Sequence, residues 1–192
     1  MSGHRIRAQA TGRPVYHGAP MRRLVLPALL VVAGAVLLGG SAQAGESVTY
    51  CNSTQLTGTF AVVPGSAGAG NIVYALTMRN HSPQACTVTG LPQVTLVSLH
   101  GKALPTHVVA AAPNQLTAAL ITLPHGASAR ATARFSPDVP GKGEQHRGAC
   151  EPAAHALAVN DPGGGIPGVR VQPPTPVCEH GRLQFKAYSR VR

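Results

Sequence analysis

The sequence predicts an all-β protein: an immunoglobulin-like antiparallel β-sandwich of about seven to nine strands with two disulfides. Three observations carry this. The chain holds 22 glycines and 17 prolines in 192 residues, too many for a helical bundle, because both residues interrupt helices. Short apolar–polar alternations recur with turn signals about every 8–12 residues, the spacing of sandwich strands. Four cysteines follow an export signal, the pattern of a disulfide framework. Because the sequence contains no Trp, the core tryptophan of a true immunoglobulin domain is missing, and the expectation is one of architecture.

In chain order, residues 1–20 hold Arg5, Arg7 and Arg13, no acid and no hydrophobic period. They read as an extension ahead of the natural start at Met21. Residues 21–44 have the three parts of a secretory signal: Arg22 and Arg23, the apolar run Leu24 to Leu38, and the small-residue site Ser41-Ala42-Gln43-Ala44. Cleavage is expected between Ala44 and Gly45, with Ala42 and Ala44 as the recognised small residues. The apolar run is shorter than the stretch of about 20 residues that a permanent span needs. The first cysteine, Cys51, lies too far downstream for lipid attachment. Contact with a membrane is therefore expected only through the signal peptide, and the product is expected outside the cytoplasm. Residues 45–192 form the single predicted domain.

The formal net charge is +10. Removing residues 1–44 takes away five arginines and no acid, which leaves +5 over 148 residues. That balance favours anionic surfaces without marking a nucleic-acid binder. No Lys/Arg run, aromatic platform or recognition helix is present, so nucleic acid is not an expected partner. Cys51, Cys86, Cys150 and Cys178 can pair in three ways. The pairs 51–86 and 150–178 close the shortest loops and are preferred on loop entropy. Zinc ligation is the competing use, but no C-x-x-C occurs.

The strands read as Thr54 to Val63, Asn71 to Arg79, Cys86 to Thr89, Gln93 to Leu99, Thr106 to Ala111 and Leu116 to Leu123, the last also compatible with a helical turn. Ala127 to Phe135, Ala154 to Val159 and Gly181 to Tyr188 complete the set. Ile72, Tyr74, Leu76 and Met78 share one face of the second. Ala127, Ala129, Ala131, Ala133 and Phe135 share a face of the seventh, which implies a thin, close-spaced interior. Residues 137–148 read as a polar loop. Residues 161–176 read as a Gly/Pro-rich loop, interrupted at most by Val169 to Val171.

A resemblance follows from these pieces. Cys51-Asn52-Ser53-Thr54-Gln55-Leu56 opens the exported part, and Gly68-Ala69-Gly70-Asn71 leads into a strand ending Arg79-Asn80. Then come Cys86-Thr87-Val88-Thr89-Gly90-Leu91-Pro92-Gln93-Val94-Thr95-Leu96, Cys150-Glu151-Pro152-Ala153 and Cys178. The chain resembles, from about Cys51 to its end, the secreted actinobacterial family of the domain of unknown function DUF4232. The resemblance implies an exported β-sandwich with two disulfides and supplies no catalytic residues. Leu91 stands where members commonly have Tyr, and Ser98 lies where an acid is common.

Catalytic chemistry is not expected. No G-x-S-x-G elbow occurs. Glu46, Glu144, Glu151 and Glu179 are isolated and read as solvated acids, and Asp138 and Asp161 lie in proline-flanked loops. No paired carboxylates suit glycoside hydrolysis. Gly163-Gly164-Gly165 lacks the helix and Lys-Ser/Thr of a phosphate loop. The sequons at Asn52 and Asn80 are expected to be unused in a bacterial setting. No cofactor is expected. The histidines His81, His100, His107, His125, His146, His155 and His180 lie mostly in turns without H-x-H or H-E-x-x-H spacing. Arg130 and Arg134 share one strand face, and Arg182 and Lys186 share another, within a basic C-terminal stretch that includes Arg170, Arg190 and Arg192. These four residues, Arg130, Arg134, Arg182 and Lys186, form a candidate cationic patch. The expected function is non-catalytic binding, with an anionic cell-envelope polymer or another exported protein as partner. The alternative is an extracytoplasmic metal-binding protein using loop histidines. The third reading is a hydrolase with a dispersed active site.

Overall fold

The structure is a computed structural model that describes residues 49–115 and 119–192, all within the compact unit Gly45–Arg192. The predicted extension, signal peptide and cleavage site lie outside the described residues, as does the start of the predicted strand at Leu116.

Eleven strands follow one another: β1 Leu56–Val62, β2 Ile72–Asn80, β3 Cys86–Thr89, β4 Val94–Ser98, β5 His107–Ala110, β6 Leu120–Leu123, β7 Ser128–Phe135, β8 Glu151–Val159, β9 Ile166–Val177, β10 Arg182–Phe185 and β11 Ser189–Arg190. Among the described residues there is no α-helix, only short 3-10 turns at Pro113–Gln115 and Glu179–Gly181. Nine strands make one curled sheet in the order β4-β8-β9-β1-β2-β7-β10-β5, with β11 added alongside β7, and β3 pairs with β6 as a separate ribbon. The shape is a half-barrel.

Two expectations are corrected. Among the described residues there are eleven strands rather than about seven to nine. The sheet is also not purely antiparallel, since β1 runs parallel to β9 and β10 parallel to β5.

The alternation of side chains makes the core. Tyr74, Leu76 and Met78 on β2, Ala129, Ala131, Ala133 and Phe135 on β7, and Leu183 and Phe185 on β10 are all buried, and their outward neighbours, Val73 excepted, are polar or small. From the other arm, Val94 and Leu96, Leu157 and Val159, and Val169, Val171 and Val177 join the same cluster, together with Val88 and Leu123 of the ribbon. Phe60 stacks on Tyr74 with ring centroids 4.8 Å apart. The alanine stripe on β7 contributes small side chains to this cluster. The Tyr74 hydroxyl also bonds the Thr175 hydroxyl and donates to the Pro173 carbonyl, at 3.2 Å, linking β2 to β9.

Strand β9 is the largest departure from the expected loop. It runs for 12 residues through Pro167, Pro173, Pro174 and Pro176. Those prolines are exposed and fall where the ladder to β8 shifts register: Pro167 between Ile166 and Val169, Pro176 between Thr175 and Val177, and Pro173 and Pro174 in the shift between Ala156↔Arg170 and Ala154↔Thr175. Proline is tolerated at such breaks because no ladder donor is required there. At this shift β9 also pairs with β1, Phe60↔Val171 and Ala61↔Gln172, so one strand serves both arms. The Gln172–Pro173 peptide is cis.

The disulfides are Cys51–Cys86 and Cys150–Cys178, the pairing preferred on loop length. The first anchors the segment before β1 on the ribbon, where Cys51 N–H donates to Thr87 and Thr87 N–H to Thr49, at 3.0 and 2.9 Å. The second ties the start of β8 to the end of β9.

Candidate functional site

The most distinctive arrangement of polar side chains lies on the outer face of β7. That face reads Ser128, Arg130, Thr132, Arg134, followed by Ser136. Inward positions are filled by alanine and Phe135, so strand geometry alone aims this series at solvent. Cross-strand register then completes it. Arg79 of β2 stands opposite Ser128, and Thr77 opposite Arg130, whose Nε donates to the Thr77 hydroxyl at 3.4 Å. Gln184 of β10 stands opposite Arg134. Lys186 meets Thr132, its N–H donating to the Thr132 carbonyl at 2.9 Å. Arg182 lies beside Ser136 in a cleft of about 200 Å³ lined also by Arg134, Gln184 and Glu179.

All four predicted patch residues, Arg130, Arg134, Arg182 and Lys186, are exposed and come together on this face. Arg79, which sequence reasoning did not include, joins them. Of the other C-terminal cations, Arg190 is committed elsewhere: it donates to the Thr122 carbonyl at 3.0 Å. Among the described residues a single carboxylate is ion-paired with the series, Glu179, which meets Arg182 at 3.1 Å. A surface pair of this kind contributes roughly 0–1 kcal/mol, so the face keeps most of its positive character.

The acids are not uniformly solvated, which corrects the expectation for Glu144. Its side chain is 5% exposed. Its carboxylate accepts the N–H groups of Gly141 at 2.6 Å, Glu179 at 2.7 Å and His180 at 2.6 Å. Glu179, His180 and Gly181 are three successive left-handed residues, with φ of 53°, 53° and 67°. Consecutive N–H groups in such a turn converge into an anion-binding concavity, and Glu144 fills it. The loop before β8 is thereby fastened to the corner that carries Glu179 and Arg182. Burial works to raise the Glu144 pKa, but the three N–H donors and nearby His180 outweigh it and hold the carboxyl below its usual range.

A group whose pKa is depressed on folding stabilises the fold above its unfolded pKa, and the contribution is lost as pH falls through the folded value. Glu144→Gln should therefore cost about 2–4 kcal/mol at pH 7. It should also flatten the acid limb of stability below the ordinary carboxylate range. Urea titrations at pH 7 and pH 3 check this; an unchanged acid limb would refute it.

Asp161 is shifted the opposite way. Burial raises its pKa against the lowering effects of the Tyr188 hydroxyl, which donates at 2.9 Å, and the Gln93 N–H. Tyr188 is itself buried, and its own pKa is pushed up by burial and by Asp161. This pair pins the loop after β8 to the segment between β10 and β11.

The histidines are dispersed. Among the described residues, the one group of three or more candidate ligands is Glu144, Cys150 and Cys178, and its two sulfurs are bonded to each other. His180 reaches Glu144 at 3.4 Å, and His125 bonds the Ser82 carbonyl at 2.9 Å. A second hollow is lined by Ser98, His100, Lys102, Leu104, Glu151 and Pro152. Among the described residues, no helix is long and apolar enough to cross a membrane.

Register is the signal that sequence reasoning lacked for Arg79, Thr77 and Ser128, and no local pattern marks Glu144. A family model described as "Domain of unknown function (DUF4232)" matches residues 51–188. No curated protein and no solved structure matches the chain.

Proposed function

We propose, from the premise that the chain belongs to the DUF4232 family, that it is a non-catalytic binding module acting outside the cytoplasm, and that the outer face of β7 and its neighbours is the binding surface. One observation carries this reading: five exposed cations, Arg79, Arg130, Lys186, Arg134 and Arg182, gather on one sheet face with a single carboxylate ion-paired to them among the described residues. So little neutralisation on one face leaves these charges for an anionic partner to pair. Two disulfides fit an oxidising compartment, and the secretory signal read from residues 21–44 fits the same address. The finer architectural reading belongs to this proposal too. The arms β4-β8-β9 and β1-β2-β7-β10 act as the two layers of an immunoglobulin-like sandwich, and β9 passes between them. An anionic polymer of the cell envelope is the favoured partner.

Retention on anionic wall material tests the reading. The protein should bind at low salt and be released as salt rises through 0.15 M, where the screening length is about 8 Å. Arg130→Glu with Arg134→Glu should cut retention at least tenfold with the urea midpoint unchanged. Retention that is equal at low and high salt, or indifferent to the double reversal, would overturn it.

A further inference from the structure

The cations are also spaced along β7, with Arg130 and Arg134 on the strand itself, Arg79 on the β2 side, and Lys186 and Arg182 on the β10 side. Outer-face residues of β7 recur every second position, an advance of about 6.8 Å in an antiparallel strand. At each such step from Ser128 to Ser136 there is one cation beside one uncharged hydrogen-bonding side chain. The steps are Arg79 with Ser128, Arg130 with Thr77, Lys186 with Thr132, Arg134 with Gln184, and Arg182 with Ser136. Where β7 itself supplies a hydroxyl, a flanking strand supplies the charge; where β7 supplies arginine, the flanking strand supplies Thr or Gln. The result is a comb of five positive charges over about 27 Å, closed at one end by Glu179.

We infer that this comb reads a linear phosphodiester-linked polyol chain in extended form, a specialisation that rests on the anionic-binding reading above. An extended chain advances about 1.2 Å per backbone bond, from 3.3–3.6 Å per three-bond residue, so a repeat of six bonds spans about 7 Å. A three-carbon polyol joined through phosphodiesters has that repeat, with one charge per unit, and its hydroxyl or ether oxygens meet the Ser, Thr and Gln side chains between charges. Arginine forks bond phosphate oxygens in pairs. Duplex DNA carries a charge every 1.7 Å or so, out of step with the comb, and among the described residues β7 and the partners named at its steps offer no aromatic ring on which bases would stack. An acidic polypeptide could present carboxylates at a similar pitch. That polypeptide is therefore the competitor against which the titration is set.

The experiment is calorimetric titration of the full chain with synthetic poly(glycerol phosphate), with poly-L-glutamate and with duplex DNA, matched in total charge, across a salt series. The glycerol phosphate polymer should bind at least tenfold more tightly than either competitor. Its log K should fall with log salt at a slope of about −3.5, as five contacts to a single-stranded polyanion give. Lys186→Gln should weaken it roughly fivefold. Adding Ala75→Lys, which returns a charge to the same step opposite Thr132, should restore binding. Adding Thr59→Lys, which returns the net charge two strands from β7, should not. Affinities that simply follow charge density, or rescue by Thr59→Lys, would overturn the comb and leave the anionic-surface reading standing. Tighter binding of poly-L-glutamate would overturn it in favour of an acidic polypeptide. Absence of binding to all three would remove both.

Discussion

Replacing Gly181 by alanine is expected to leave little folded protein. A Cβ on Gly181 would lie 1.9 Å from the Pro105 carbonyl oxygen, and the residue sits at φ +67°. The obstacle is backbone, so no rotamer change relieves it. The corner cannot shift easily either, because Glu179 and His180 before it are already left-handed and are held by Glu144. A β-carbon in this conformation costs of order 1–2 kcal/mol, and displacing the segment at Pro105 adds to that, for a total above about 4 kcal/mol. Gly143→Ala is the control: φ is +86° but nothing lies within 4 Å, so the conformational cost stands alone, at about 1–2 kcal/mol. Urea unfolding of the two variants separates these effects. Near-wild-type stability of Gly181→Ala would mean that the corner is not packed as described.

Breaking the two disulfides should have the next largest effect. The sequence separations are 35 and 28 residues, and loops of that size remove roughly 3–4 kcal/mol of unfolded-state entropy each. The core leaves little in reserve, since three of its β7 positions are alanine and the chain has three Phe and no Trp. Cys51→Ala with Cys86→Ala should lose about 3–4 kcal/mol. Full reduction should lower Tm by at least about 10 °C. A melting curve indifferent to reductant, or free thiols in natively purified protein, would contradict the covalent framework.

Much of the strand layout was legible because period-two alternation is a local property. β2 and β7 reveal their faces through Tyr74, Leu76 and Met78 and through the alternation of alanine with arginine, and the structure buries those faces. The disulfide pairs followed from loop length. β9 was hidden because its four prolines argue against a strand, and their tolerance depends on where the ladder to β8 breaks. The parallel pairings of β1 with β9 and β5 with β10 are long-range and leave no local trace. The cationic patch was half visible: Arg130 and Arg134 share a face by spacing alone, whereas the joining of Arg79, Lys186 and Arg182 to them depends on register. Glu144 was misread for a similar reason, because its three donors come from residues 3 to 36 positions away.

The anchoring of Cys51 on Cys86 has a mechanical consequence. Tension applied through the polypeptide ahead of Cys51 reaches a covalent bond before it reaches β1, and the cross-link passes it to the ribbon. The 35-residue interval between the two sulfurs, which includes all of β1 and β2, is bypassed by that force and cannot be drawn out while the sulfurs stay joined. Stretched from that end, the domain would yield first at the ribbon, with its two central strands kept out of the line of pull.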